Sequence, residues 1–224
     1  MEKKFLTSIF CTFAFFLSHN VSAADECASL AQRPVVRLRG TYGKLQYNNT
    51  YNTLQLSQIA SRNNLREVNM FAAGLADISV FWKVKLQTKF HPFKDYECAI
   101  PESIDVLFGY RDPVIYISKD LKPDTCLYNV VLRHEQQHQQ INLEVLDFYL
   151  PTLKKEFTKV ASVLKPRKVL PHESSKSVMD EMTKIYSDAI KPIINRFQIT
   201  LQIEQNRLDN IKNYRYEENL CRKH

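Results

Sequence analysis

The sequence predicts an α+β fold, with a small twisted sheet in the N-terminal part and a helical C-terminal half. Between residues 35 and 120, several runs alternate apolar and polar side chains with the period of two that β-strands show. From residue 124 onward, apolar residues recur at the three- and four-residue steps of a helix. Because the strands precede the helices instead of alternating with them, the order favours α+β.

Four segments show the strand alternation and are predicted strands: residues 35–42, 80–88, 104–108 and 114–117. Residues 109–113 contain Gly109 and Pro113, so we interpret them as a hairpin turn between the last two strands. A short helix is predicted within residues 53–72, beginning at Ser57.

The helical half is predicted to begin after Lys122 and Pro123, with Asp124 or Thr125 as the N-cap. Breaks are expected at Pro151 and across residues 165–171, and helix continues from there to Cys221. About 200 residues suit one domain. We therefore predict a single domain over residues 24–224, sheet-rich at 30–122 and helical at 124–221.

Residues 1–23 are predicted to be a secretory signal peptide. Lys3 and Lys4 are followed by a thirteen-residue apolar run (5–17), and Val-Ser-Ala at 21–23 is a small-residue cleavage site. The apolar run is too short for a stable membrane anchor, and no later run reaches transmembrane length. We expect cleavage after Ala23 and a periplasmic or secreted protein without a stable anchor.

The cysteine count agrees with export. Removal of Cys11 leaves Cys27, Cys98, Cys126 and Cys221, an even number that an oxidising compartment would pair. Four cysteines allow three pairings, among which we favour Cys98–Cys126 and Cys27–Cys221. No CxxC pair indicates a cysteine-bound zinc.

The net charge of +7 is compatible with acidic partners. Lys and Arg are scattered along the chain, however, and the densest cluster, at 165–168, is short. We therefore expect a solvated basic surface and no nucleic-acid binding. Only four glycines are present, too few for a phosphate-binding loop of the usual kind.

The segment His134-Glu135-Gln136-Gln137-His138 is an HExxH motif in a predicted helix. Spacing by four residues puts both imidazoles on one helix face, where they can share a zinc ion. Glu135 would then lie beside the metal, as a general base that takes a proton from a metal-bound water.

On these residues the chain resembles the zincin metallopeptidases, and in particular small secreted bacterial proteins of that type. The resemblance implies one zinc ion and hydrolysis of a peptide bond in a protein, an oligopeptide or a cell-wall peptide. It also implies that an edge strand, 113–118 or its hairpin partner, borders the substrate cleft. The alternative is a non-catalytic envelope-binding protein that keeps the metal helix as a structural clip.

The third zinc ligand is less evident from the sequence. An apolar stripe from Ile190 to Ile211 has one polar step, Glu204, and a carboxylate on a buried stripe must be paired, protonated or metal-bound. We therefore expect Glu204 to be the ligand, as in the gluzincin arrangement. Asp209 and His172 are the alternatives, and helical rotation puts Asp209 off the stripe.

Overall fold

The computed structural model of the protein describes residues 23–62 and 72–222. The predicted signal peptide, except for its last residue, lies outside the described residues. The elements in chain order are α1 (Ala23–Ser29), β1 (Val35–Thr41), β2 (Gln46–Asn48), α2 (Thr53–Arg62), β3 (Gly74–Pro92), β4 (Glu97–Ile117), α3 (Cys126–Val160), β5 (Arg167–Val169), α4 (Ser175–Leu208) and α5 (Ile211–Arg222). The predicted α+β class is confirmed, since four of the five strands in the described residues precede α3.

The long strand β4 is the centre of the sheet. On one side β3 pairs with it antiparallel along nearly its whole length, from Gly74 opposite Ile117 to Pro92 opposite Glu97. On the other side β1 and β2 pair with it in parallel, and β5 pairs antiparallel near its start. Within the described residues β3 pairs with β4 alone, so it forms one edge of the sheet.

The predicted hairpin turn at residues 109–113 is wrong, because β4 runs through it. Strand β3 pairs on both sides of this segment and holds the two predicted strands in one line. Gly109 has φ 147°, and a Cβ there would lie 1.9 Å from the Thr41 carbonyl oxygen. A glycine at this position therefore permits the close approach of β1. The hairpin connects β3 and β4, where the Phe93 N–H donates to the Tyr96 carbonyl at 2.7 Å.

The main core lies between one face of the sheet and the helices α3 and α4. Alternate residues of β4, including Ile104, Val106 and Phe108, are buried on this face. The Phe157 and Phe197 rings each form a T-shaped pair with the Phe108 ring, at centroid distances of 6.2 and 5.1 Å. Aromatic pairs of this geometry add to the apolar burial that holds the helices to the sheet.

Helix α3 continues through Pro151, so the predicted break at this residue is wrong. Leu146 and Leu153, on either side of the proline, are both buried in the main core. Their packing outweighs the hydrogen bond that a proline removes. The break predicted at 165–171 is confirmed, since β5 and a turn at residues 171–172 lie between α3 and α4 there.

The two disulfides differ from the predicted Cys98–Cys126 and Cys27–Cys221. They are Cys27–Cys98 and Cys126–Cys221, each with a Cα–Cα distance of 5.6 Å. The physical reason is the path of the chain. Helix α1 packs beside the start of β4, while α5 returns to the start of α3 instead of meeting the N-terminal segment. Among the described helices, none is long and apolar enough to cross a membrane.

Candidate metal centre

Helix α3 presents the two motif histidines to the interior. Thr125 is the N-cap, accepting a hydrogen bond from the Tyr128 N–H at 3.3 Å, and the helix is continuous through the motif. His134 and His138 are 3% and 7% exposed, and their Nε2 atoms lie 3.0 Å apart. The four-residue spacing therefore brings both rings together on one face, as the sequence predicts.

Asp209 completes the group. It is the C-cap of α4, and its Oδ1 lies 3.2 Å from the Nε2 atoms of both His134 and His138. These three side chains could hold a metal ion. No other His, Cys, Asp or Glu in residues 23–62 and 72–222 joins them.

Glu204, the expected third ligand, is not part of this group. Its carboxylate pairs with Arg207 at 2.6 Å and is 32% exposed, on the side of α4 that faces Ile141 and Phe148. The stripe argument fails because α4 ends at Leu208, so Ile211 belongs to another helix and is 61% exposed. Helical rotation consequently does not describe where Asp209 points. His172 is exposed in the loop before α4 and lies outside the group as well.

The outer nitrogen of each histidine ring has its own partner. His134 Nδ1 lies 3.1 Å from the carboxylate of Glu217, which is 7% exposed. His138 Nδ1 contacts Gln205 Oε1. The Gln205 amide nitrogen donates to Asn142 Oδ1 at 2.6 Å and to the His138 carbonyl at 3.1 Å, which leaves Oε1 as the acceptor. Both Nδ1 atoms therefore carry hydrogen, and this assignment follows from the bonding network.

The consequence is that three lone pairs converge. With neutral rings and hydrogen on Nδ1, both Nε2 atoms present lone pairs to each other and to Asp209 Oδ1. Such an arrangement is repulsive unless a proton or a metal cation lies among the three atoms. In proteins, metal-binding histidines are oriented by hydrogen bonds that their outer ring nitrogens donate to carboxylate and carbonyl oxygens.

The pKa shifts report the same electrostatics. Burial lowers the pKa of His134, but the hydrogen bond to Asp209 and the charges of two nearby carboxylates outweigh it, so the pKa is raised. Burial raises the pKa of Asp209, yet hydrogen bonds from the two imidazoles when their Nε2 atoms are protonated, together with the hydrogen bond from Tyr214, hold it well below its usual range. The site is therefore built to hold positive charge next to an ionised carboxylate.

The spacing of the three ligand atoms suits a tetrahedral ion. With metal–ligand distances of about 2.0–2.1 Å, neighbouring ligands of a tetrahedral zinc lie about 3.3–3.4 Å apart. The observed separations are 3.0, 3.2 and 3.2 Å. Three protein ligands with one position left for water or substrate is the pattern of catalytic zinc sites.

Helix α5 contributes side chains that contact His134 and Asp209. Tyr214 donates a hydrogen bond to Asp209, and its ring packs against His134 at a centroid distance of 5.4 Å. Glu217 follows three residues later, and the Cys126–Cys221 disulfide attaches the helix to the start of α3. The sequence analysis missed both residues. The signal in the sequence was that Tyr214 and Glu217 lie one turn apart on a short amphipathic helix, and so on the same face of it.

Glu135 lies against the first residue of β3. It is 1% exposed, and a Cβ added to Gly74 would approach its Oε1 to 2.6 Å and Val131 Cγ1 to 2.6 Å. The absence of a side chain at Gly74 therefore makes room for the Glu135 carboxylate. The sequence analysis missed Gly74 because its importance depends on a contact between distant segments.

Glu135 also lines two cavities. The first, of about 400 Å³, is bordered by β3 residues 75–80 and by amide side chains of α3 and α4: Asn142, Gln198, Gln202 and Gln205. His138 and Asp209 line it too. The second, of about 370 Å³, is lined by His134 and by apolar side chains: Leu127, Val130, Val131 and Ile211. A ligand in either cavity would lie next to the histidine pair.

Comparison with known proteins identified no relative of this chain. The chain matches no family model, no curated protein and no solved structure. The resemblance to zincins therefore depends on residues 134–138, and the function has to be argued from the chemistry of the site.

Proposed function

We propose that the protein is a zinc-dependent hydrolase of peptide bonds. His134, His138 and Asp209 would hold the metal, and Glu135 would be the general base. The observation that supports this most is the convergence of three ligand atoms, 3.0–3.2 Å apart, beside a buried carboxylate in the wall of a cleft. A purely structural metal site would need a fourth protein ligand, and the described residues offer three.

The donor set favours zinc. Two imidazole nitrogens and one carboxylate oxygen suit zinc better than magnesium or calcium, which prefer oxygen ligands throughout. When bound, zinc would act as a Lewis acid, polarising a carbonyl oxygen of the substrate and lowering the pKa of a bound water. Glu217 and Gln205 hold the two rings in the tautomers that such binding requires.

Glu135 is the group that would move the proton. Glu135 lines both cavities and follows His134 in the chain, and its side chain lies against Gly74. In peptide hydrolysis a carboxylate so placed accepts a proton from the attacking water and delivers it to the leaving amine. Burial shields this exchange from bulk solvent.

The substrate would be an extended peptide. Residues 75–80 of the edge strand β3 border the larger cavity, and their backbone groups can pair with an added strand. This is the segment that pairs with residues 110–116 of β4, and so β3, rather than 113–118 itself, would bind the peptide. A protein, an oligopeptide and a cell-wall peptide all contain such a segment.

Metal analysis and cleavage assays together test the proposal. Purified protein should contain about one zinc per chain, and His134→Ala should lose it while the fold is retained. The wild type should cleave members of a peptide library in a chelator-sensitive way. Glu135→Gln should keep zinc and lose cleavage, whereas the matched variant Glu144→Gln, at an exposed site on the same helix, should keep both. Bound zinc without cleavage of any peptide would favour the non-catalytic alternative.

A further inference from the structure

The face of the sheet opposite the helices is strongly basic. Strand pairing aligns Arg37, Asp105 and Lys85 in one row across β1, β4 and β3. The next row contains Arg39, Leu107 and Lys83. All four cations are exposed, while the residues between them, such as Val36 and Val84, face the core. Cations that are far apart in the sequence therefore form one surface.

A fifth cation, Arg111, lies beside these rows, and one of the four cations is paired with a carboxylate. The Arg111 guanidinium lies 4.7 Å from the centroid of the Phe81 ring, and Phe81 lies two residues before Lys83 on the same face of β3. Asp105 accepts two hydrogen bonds from Arg37, at 2.7 and 3.1 Å. Arg39 and the two lysines form no ion pair with any described residue, so the face keeps a large net positive charge.

We propose that this basic face docks the protein on the surface of a bilayer that contains anionic phospholipids. Its cations are spread in two dimensions, with about 7 Å between alternate residues of a strand and about 10 Å between β1 and β3. Lipid headgroups offer negative charge over an area of that kind. Each Lys or Arg near such a surface strengthens binding roughly fivefold.

A polymer such as nucleic acid is a poorer match. Proteins that bind single polyanionic strands without sequence preference combine a basic groove that follows the backbone with several aromatic rings on which the bases stack. Here the cations lie on an open sheet face, and the cavities described above are on the helical side. Val35, 59% exposed, lies two residues before Arg37 on the same strand, where it could enter the headgroup region.

Docking through this face would leave the metal centre accessible. Ile78 and Val80, which border the larger cavity, pack on the core side of the sheet, whereas the basic face is on the other side. The proposal does not depend on hydrolysis or on the bound metal. It can therefore fail or succeed separately from the proposed function.

Vesicle co-sedimentation tests the proposal. Wild-type protein should bind vesicles of phosphatidylcholine with one-third phosphatidylglycerol at low salt, should not bind pure phosphatidylcholine, and should be released at 0.5 M salt. Arg39→Glu/Lys83→Glu should weaken binding by at least about 25-fold, as two lost cations predict. Lys154→Glu/Lys155→Glu, on the exposed surface of α3, makes the same change in net charge and should retain most of the binding.

Three results would overturn the proposal. They are equal binding to neutral vesicles, equal loss in the control variant, and binding to a polyanion such as DNA without binding to anionic vesicles. The first would mean that charge is not recognised, the second that only net charge matters, and the third that the partner is a polymer. If the Arg39→Glu/Lys83→Glu variant does not fold, as judged by circular dichroism, the comparison would be repeated with Arg39→Gln/Lys83→Gln. This variant should weaken binding by about 25-fold.

Discussion

The Cys126–Cys221 disulfide should support the candidate metal centre as well as the fold, because it attaches α5 to α3. Removing it with Cys126→Ala/Cys221→Ala releases a loop whose ends are 95 residues apart in sequence. In the chain-entropy treatment this costs about 4.7 kcal/mol of unfolding free energy, an upper figure. At about 2–4 °C per kcal/mol for a chain of this size, the melting temperature should fall by roughly 9–19 °C.

The other disulfide provides a matched control. The Cys27–Cys98 loop spans 71 residues, and its loss costs about 4.4 kcal/mol in the same treatment. Cys27 and Cys98 are also fully buried, so Cys27→Ala/Cys98→Ala loses some packing in addition. The two variants should therefore be destabilised to a similar extent, although only one of the disulfides holds α5.

Zinc affinity then shows whether losing the attachment of α5 affects the site itself or only the overall stability. Helix α5 contributes Glu217 to His134 and Tyr214 to Asp209, so loss of its attachment should weaken zinc binding by about 10–100-fold. Zinc affinity would be measured by chelator competition on folded protein, and stability by urea unfolding of the metal-free protein. Equal loss of zinc affinity in both double variants, or no loss in either, would refute the reasoning.

Three further predictions concern single residues. Asp209→Ala should abolish stoichiometric zinc binding, whereas Glu204→Ala should retain it; metal analysis showing the reverse would restore Glu204 as the ligand. Gly74→Ala should displace the Glu135 carboxylate from its position, so zinc content should stay near wild type while cleavage falls at least tenfold; unchanged cleavage would contradict this. Glu217→Gln should weaken zinc binding by about 10–100-fold in a competition assay, and wild-type affinity would show that this carboxylate does not position His134.

The local features of the site could be predicted from the sequence. The helix around residues 134–138, its N-cap Thr125 and the shared face of the two histidines depend on spacing within a few turns. The strand at 35–42 and the buried stripe from Ile190 to Leu201 are local in the same sense. Periodicity reports which face of an element is buried, and for these elements that was sufficient.

Where a prediction depended on how elements end or meet, tertiary structure decided the outcome. Asp209 lies beside the two histidines because α4 ends one residue before it, and the turn into α5 brings its carboxylate to them. The disulfide pairing followed the return of α5 to α3, which no cysteine spacing encodes.

The basic face shows the same distinction between sequence and structure. Along the chain its cations are scattered among three strands, and the sequence alone favoured a solvated basic surface. Pairing of β1 and β3 on either side of β4 brings Arg39 and Lys83 into one row. Residue types and helical spacing are properties of the sequence, whereas the neighbours of a side chain across strands and helices depend on register and packing.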